Sequence, residues 1–406
     1  MNAALACADQ EYETVLVEKG SELGGNLSWL HTHIDGTDFK ELLDSTAKEV
    51  EKHPLITVLK NSTVEDTSGE TGNFTTLVQT DDGQGGITTS SIRHGAVILA
   101  TGSGEAQVDR YRIGEHDSIM TTRTFEEKKQ NKETDLDSLK NVVMIQCVQS
   151  RDDSKEYCSR ICCTSSIKQA LYLKESDPDR NVFILYRDIM TYGFLESYYK
   201  KARDQGIIFI RYTTDRPPKV DISDDKPRVT AYESILDQDI EIEADAVILA
   251  SGMQPSSVEK LAGMYRIEQD EYGFIRQGDG KWRPVDTTMD GVFVCGTAAG
   301  PRNVEESIAS AQAAAQRALR IVCRDTLTSS RITAQIKESL CCLCERCVQA
   351  CPYAARMVDY DRHKIHINPA LCQGCGACAA VCPNSASYVS NLEDQQFFNI
   401  IEAAVS

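Results

Sequence analysis

Two short stretches near the end of the chain carry cysteines at a chemically readable spacing. "CCLCERCVQACP" holds Cys341-x2-Cys344-x2-Cys347-x3-Cys351 followed by Pro352, and "CQGCGACAAVCP" holds Cys372-x2-Cys375-x2-Cys378-x3-Cys382 followed by Pro383. In such a run three thiolates take three corners of one [4Fe–4S] cube, and the chain carries the fourth cysteine to the neighbouring cube. That crossing assigns Cys341, Cys344, Cys347 and Cys382 to one cluster, and Cys372, Cys375, Cys378 and Cys351 to the other. A pair of four-cysteine zinc sites is the alternative. Zinc ribbons use two CxxC pairs and have no use for a proline after each fourth ligand. Cys342 is left over and reads as packing.

A third group lies mid-chain. "QCVQSRDDSKEYCSRICC" places Cys147, Cys158, Cys162 and Cys163 within seventeen residues, after the apolar "NVVMI" and before the helix-like "TSSIKQALYLKE". A strand-turn-helix is where a dinucleotide-binding fold normally keeps its glycines. No GxGxxG occurs anywhere in 141–170. From the residues alone, these four are ligands for a further [4Fe–4S] cluster, a reactive dithiol, or buried free thiols. Arg151 and Arg160 stand beside them, either balancing negative charge or solvated.

The rest of the composition sets bounds. The chain of 406 residues is long enough for two or three cores, and its 41% hydrophobic and 26% charged content is that of a soluble globular protein. A formal charge of −18 argues against nucleic acid and anionic membrane surfaces as partners. The sixteen cysteines cluster at ligand spacing instead of scattering as disulfides would, which implies a reducing, cytoplasmic setting and suits an anaerobe. The start lacks the basic region of a signal peptide, and no run of eighteen apolar residues predicts membrane insertion. The seven histidines are scattered in polar stretches and read as surface.

The elements that must position these groups form an α/β pattern. Thr14–Gly20 reads as a strand, 39–52 as an amphipathic helix, Ile56–Val64 as a strand, 73–96 as a hairpin and His94–Ser103 as a buried strand. A charged linker is expected over 105–139. "VILASGMQP" then repeats the earlier "VILATGS", which implies two nucleotide-type units, the second inserted into the first. Candidate cofactor contacts follow from strand ends and glycine turns. Glu18, with Lys19, ends a strand where an acid reaches a ribose hydroxyl. Gly24, Gly25 and Asn26 form a loop that backbone can bring close to a ligand, and Ala100, Thr101 and Gly102 form another. Gly296 and Thr297 lie in "CGTAAG", and Pro301, Arg302 and Val304 open a long alanine-rich helix whose N-terminus suits a pyrophosphate or a carbonyl. Any one of these is also an ordinary α/β turn; their order along the chain is the specific part.

That order resembles the two-dinucleotide flavoproteins of the thioredoxin-reductase type. Together with the mid-chain cysteines and the tandem ferredoxin run, it resembles the A-subunit family of heterodisulfide reductase over essentially the whole chain. The module is also similar to subunits of class II benzoyl-CoA reductase and quinone-interacting oxidoreductase complexes. The resemblance implies FAD and three [4Fe–4S] clusters, the third held by Cys147, Cys158, Cys162 and Cys163. It implies two nested dinucleotide-binding units plus an α+β bacterial ferredoxin-type 2[4Fe–4S] domain. The expected division is an FAD-binding part over 1–105, an inserted pyridine-nucleotide-type unit over 106–285, and a second FAD-binding part over 286–332. A ferredoxin-like domain follows over 333–392, with a tail over 393–406.

Two departures from the resemblance stand out. The family's GxGxxG loop and its preceding strand are missing, because Met1 falls where the following helix is already under way. The expectation is an N-terminally truncated reading or a pyrophosphate cradle supplied by another polypeptide. The family also carries a lysine beside the flavin, in the segment occupied here by "GPRNVEES". Arg302 stands there, keeping a positive charge without the capacity to donate a proton as lysine does.

The implied role is electron transfer within a multisubunit heterodisulfide-reductase-like complex, in which dimerisation is one expected arrangement. Electrons would pass between ferredoxin-type clusters and FAD, with flavin-based bifurcation in some family members. Ferredoxin, a hydrogenase or a formate dehydrogenase would be the donor, and substrate chemistry would lie on partner subunits. The alternatives are a self-contained NAD(P)H-dependent iron–sulfur flavoprotein and a scaffold with structural clusters.

Overall fold

The computed structural model describes residues 1–133, 138–326, 332–369 and 371–405. Its centre is set by three apolar strands, Asn141–Val148, Asn181–Tyr186 and Ala246–Ser251. Strands apolar on both faces must be covered on both. They form a parallel five-stranded sheet in the order Ile208–Arg211, Asn181–Tyr186, Asn141–Val148, Ala246–Ser251, Ile119–Thr121. Alternation divides the coverage. Val142 and Met144 face the helices Thr122–Gln130, Cys162–Ser176 and Glu196–Asp204, joining Phe125, Ile167 and Ala202. Val143 and Ile145 face an antiparallel meander of Lys219–Ser223, Lys226–Glu233 and Gln238–Glu243.

The edge strand Ile119–Thr121 and the helix Thr122–Gln130 lie within the segment expected to be a charged linker. Three residues among polar neighbours give no periodicity to read. The helix is started by Thr121, whose side chain accepts from Thr124 N.

The enclosing unit is assembled from both ends of the chain. Thr14–Val17 pairs in parallel with Ile56–Leu59, and Val97–Leu99 with Val292–Val294. The helix Asn2–Ala8 packs beside the long helix Val304–Val322, with Cys7 against Ala315 and Leu319. The expected single strand over Ile56–Val64 is broken by left-handed Asn61 (φ 49°), and Ser62–Glu70 starts a second meander with Asn73–Asp81 and Ile87–His94. The repeated segments "VILATGS" and "VILASGMQP" meet directly: Ser103–Glu105 pairs antiparallel with Met253–Pro255. This short ribbon joins the two units.

The last region is built from two two-stranded antiparallel sheets, Ala334–Ile336 with Ser387–Val389 and Arg356–Asp359 with Lys364–Ile367. The helix Asp394–Val405 follows, exposing Phe397, Phe398, Ile400 and Ile401. Among the described residues no helix is long and apolar enough to cross a membrane. The histidines are less superficial than expected. Five are half-buried, and His94 sits between strands on Thr76 Oγ1 (2.8 Å), stacked on Phe74.

Candidate iron–sulfur and flavin sites

The two cysteine runs superimpose in sequence with an offset of 31 residues, and their backbones repeat with the same offset. Leu343, Glu345 and Ala354 have φ of 55°, 60° and 47°; their counterparts Gly374, Gly376 and Ser385 have 65°, 80° and 51°. Left-handed residues on either side of the second cysteine wrap each run around a centre. Each then turns into a one-turn helix, Arg346–Gln349 or Ala377–Ala380. One small cavity is lined by Cys341, Cys344, Cys347 and Cys382. A second is lined by Cys351, Cys372, Cys375 and Cys378. These are the two sets assigned by the crossing of the fourth cysteine. Cys342 also borders the first cavity and is exposed, not packed as expected.

Backbone donors meet several of these sulfurs. Ala334 N lies 3.3 Å from Cys372 Sγ, Ala355 N 3.3 Å from Cys351 Sγ, and Ser387 N 3.4 Å from Cys382 Sγ. Burial pushes the Cys382 thiol up. The N–H groups of Ser387, Asn384 and Ala386, with Arg356, more than offset this and hold it below its ordinary value. Among the described residues no three His, Cys, Asp or Glu side chains converge tightly enough to hold a single metal ion. The four thiols of each set line one cavity.

The first cavity has a further feature that suits an anionic occupant. Arg356 is 3% exposed, borders both cavities, and its Nη1 has no hydrogen-bond partner. An unpaired buried guanidinium is costly unless negative charge stands beside it. A cluster held by the four thiolates would supply that charge. Arg356 occupies the place of Ser387 in the other repeat.

The mid-chain cysteines also come together. Cys147 ends the central strand, and Cys162 and Cys163 open the helix Cys162–Ser176. Cys158 lies in the loop between them. Cys162 Sγ donates to Ser251 O (3.8 Å) and Cys163 Sγ to Asp188 O (3.7 Å). Burial pushes Cys162 well up, and Cys163, Cys147 and Cys158 push it further; burial likewise raises Cys163 to about 11. Backbone strain concentrates here, with Cys147, Gln149, Arg151 and Arg160 all left-handed (φ 58°, 56°, 58° and 62°). Each such residue costs of order 1–3 kcal/mol, so the surroundings must over-determine the loop.

They do. Arg187 donates to Ser150 O (2.7 Å) and Arg151 O (2.5 Å), and Arg151 pairs with Asp188 at 2.7 Å. Ser159 Oγ accepts from Met253 N (2.7 Å), and Tyr157 OH donates to Met253 O (2.6 Å). Arg160 N lies 3.3 Å from Cys158 Sγ. The positive side chains named as balancing charge are thus held by acids: Arg151 by Asp188 and Arg160 by Glu306.

The candidate flavin contacts converge at the ends of the enclosing unit's strands. Asn26 Nδ2 donates to Ser103 O (2.9 Å), tying the loop of Gly24 and Gly25 to that of Ala100, Thr101 and Gly102. A Cβ on Gly102 would lie 3.8 Å from Thr297 Oγ1, so the third turn is adjacent. Gly24 (φ 125°) lies against Leu43, where a Cβ would approach to 2.7 Å. Glu18 Oε1 accepts from Gly20 N (2.7 Å), which turns its carboxylate onto its own loop, and Lys19 is exposed.

Ser103 Oγ, buried beside this junction, has no partner. An orphaned hydroxyl where three glycine turns meet suits a polar ligand. Gly296 N donates to Ser310 Oγ (2.9 Å). Asn303 and Glu306 form a capping box on the helix Val304–Val322, a signature readable in "NVEE". Pro301, Arg302 and Val304 are half-buried at that end; burial pushes Arg302 down, with Glu306 and Cys295 opposing.

Two nested dinucleotide-binding units, with a small cysteine-rich domain after them, define a flavoprotein-reductase fold joined to an iron–sulfur module. The fold is similar to thioredoxin reductase from Lactococcus lactis, at 18% identity over 79% of this chain and 95% of that one, with a TM-score of 0.53. Residues 321–386 match the 4Fe-4S dicluster domain. The chain belongs to the A-subunit family of heterodisulfide reductase. It is 34% identical to the iron-sulfur A-subunit of CoB–CoM heterodisulfide reductase from Methanocaldococcus jannaschii, over 77% of this chain and 50% of that protein. It is 28% identical to the A-subunit of ferredoxin:CoB-CoM heterodisulfide reductase from Methanosarcina acetivorans, over 88% of this chain and 60% of that one. The chain therefore spans about half to three-fifths of the length of these relatives.

Proposed function

We propose that this chain is an FAD- and [4Fe–4S]-containing electron-transfer subunit of a heterodisulfide-reductase-like complex. The supporting observation is the junction between its parts. Cys372 and Cys378 share one hydrophobic core with Val294 and Ala298, which belong to the strand and turn of the flavin-type crevice. Electron carriers held at these places would be neighbours without an intervening solvent gap.

In this reading Cys341, Cys344, Cys347 and Cys382 hold one cluster, Cys351, Cys372, Cys375 and Cys378 a second, and Cys147, Cys158, Cys162 and Cys163 a third. FAD, when bound, supplies the exchange between two-electron and one-electron chemistry. Asn26 and Ser103 orient it at the junction of the glycine turns, and Arg302 keeps positive charge at the capped helix end. Partner subunits carry the substrate chemistry, with ferredoxin, a hydrogenase or a formate dehydrogenase as donor. Flavin-based bifurcation is the finer form of the same proposal.

The self-contained NAD(P)H-dependent alternative finds little support in the inserted unit. Its strand-turn-helix presents Cys162 and Cys163 at the first turn of the helix, where a phosphate cradle would need glycine. Anaerobic titration of the loaded protein separates the two. Flavin reduced by ferredoxin and not by NADH is the expected result; rapid reduction by NADH alone would overturn the proposal.

A further inference from the structure

The two halves of the cysteine-rich domain differ at one buried position. Arg356 and Ser387 occupy equivalent places, 31 residues apart, and they touch across the domain: Arg356 Nη2 donates to Ser387 Oγ at 2.7 Å. Both cavities border the arginine, but its surroundings are not symmetric. Its Nη2 is held by Ser387, which borders the first cavity and not the second. Nη1 has no partner, and among the described residues no carboxylate forms an ion pair with Arg356. A full positive charge, 3% exposed, is thus held by one serine hydroxyl and directed at one thiol set more than at the other.

The cavities also differ in place. Cys372 and Cys378 of the second are buried in the core shared with Val294 and Ala298. Cys341 and Cys347 of the first are only half-buried, and Cys344 is exposed. Each set has one exposed thiol, Cys344 or Cys375, and Cys347 packs against the same core, so the second set is the more deeply seated of the two against the flavin-type crevice. It is called the inner site and the first the outer.

Resting on the reading that these cysteines hold [4Fe–4S] clusters, we infer that Arg356 makes the outer site the easier of the two to reduce. It thereby gives the pair a downhill direction from the flavin side outward. A buried positive charge stabilises the more negative, one-electron-reduced form of the centre it faces, and net charge and hydrogen bonds to sulfur are established determinants of cluster potential. The step is a one-electron transfer. The inner site loses one electron, the outer site gains it, no bond is made or broken, and no proton moves. Arg356 acts through its charge on the first cavity, which it borders together with Ser387, and is a positioning residue.

The experiment is an EPR-monitored potentiometric titration of the anaerobically purified, iron-loaded full chain, with dithionite as one-electron reductant. Arg356→Gln and Arg356→Lys are compared with the parent, and iron is measured in every sample. Arg356→Gln is expected to lower the higher of the two potentials by at least tenfold in its reduction equilibrium, about 59 mV for one electron. Arg356→Lys should restore most of the shift. Full iron with unchanged potentials overturns the inference. Loss of iron from both variants also overturns it, since the residue would then be a structural strut. A parent protein that binds no iron in these two cavities fails at the earlier step, overturning the reading of the cysteines and this inference with it.

Discussion

Arg160 Nη2 lies 2.6 Å from Glu306 Oε1, and this contact joins the mid-chain cysteine loop to the long helix of the enclosing unit. The same guanidinium donates to Pro301 O (3.2 Å) and Tyr192 OH (3.0 Å), while its own backbone N–H meets Cys158 Sγ. Glu306 in turn caps the helix by accepting from Asn303 N. One residue thus touches a candidate ligand on one side and the candidate flavin helix on the other. Replacing Arg160 with Gln is expected to cost about 1 kcal/mol, since the pair is partly solvated. Amide hydrogen exchange should rise in 149–161 and in the first turn of the long helix together. Faster exchange in only one of them would show that the contact does not couple the two.

The double change Cys162→Ser, Cys163→Ser removes two of the mid-chain thiols. With three clusters of four irons, anaerobically purified protein should contain about 12 Fe per chain, and the variant about 8. Unchanged iron would reassign the site.

The same centre can be disturbed without touching a cysteine. A Cβ on Gly252 would lie 2.6 Å from Gln149 O, and backbone cannot yield cheaply there. Gly252→Ala should displace the strained loop, cost about 1–3 kcal/mol as overpacking does, and lower iron toward the same 8 per chain. Full loading would mean that the loop tolerates the shift.

Asn26 ties two glycine turns together through Ser103 O. Asn26→Asp replaces the donor with an acceptor facing a carbonyl, losing a hydrogen bond worth about 1 kcal/mol and adding repulsion. FAD retention, measured by equilibrium dialysis, should fall about tenfold, the equivalent of 1.4 kcal/mol. Undiminished binding would remove this junction from the flavin site.

Acid sensitivity should reside in the inserted unit. Glu126 is 1% exposed and accepts from Lys168, Lys129 and Gln169. Burial pushes its carboxyl up, but the two ammonium groups outweigh this and hold it below 4.5, its ordinary value. Burial lowers Lys168 despite the pairing, so the carboxylate, met by three donors, gives the clearer direction. A carboxyl with a depressed folded pKa adds stability above its unfolded value and loses it as pH falls through the folded one. Glu126→Gln should therefore cost about 3 kcal/mol at neutral pH, and the gap to the parent should close below pH 4.5. A gap independent of pH would refute the assignment.

The grouping of the eight C-terminal cysteines around two cavities was readable from sequence because they are spaced by a few residues, and local spacing survives folding. The crossing of Cys351 and Cys382 between cavities was readable for the same reason. Arg356 was not, since an arginine in a short polar-looking run normally reads as solvated. Its burial depends on the packing of the strands Arg356–Asp359 and Lys364–Ile367. The strand Ile119–Thr121 escaped notice because three residues carry no period. Asn26 was named for its neighbouring glycines; its bond to Ser103, 77 residues away, needed the fold.

Two copies of one cysteine run, each closing the other's ring, would make a module with interchangeable ends. Turned about its own axis, such a module presents the same face to whatever lies beyond it. Arg356 opposite Ser387 breaks that equivalence at a buried position between the two cavities. Here polarity is a property of the pair, and neither repeat possesses it alone. Exchanging the two residues would move the buried charge from one repeat to the other and leave the seating of the cysteines as it is.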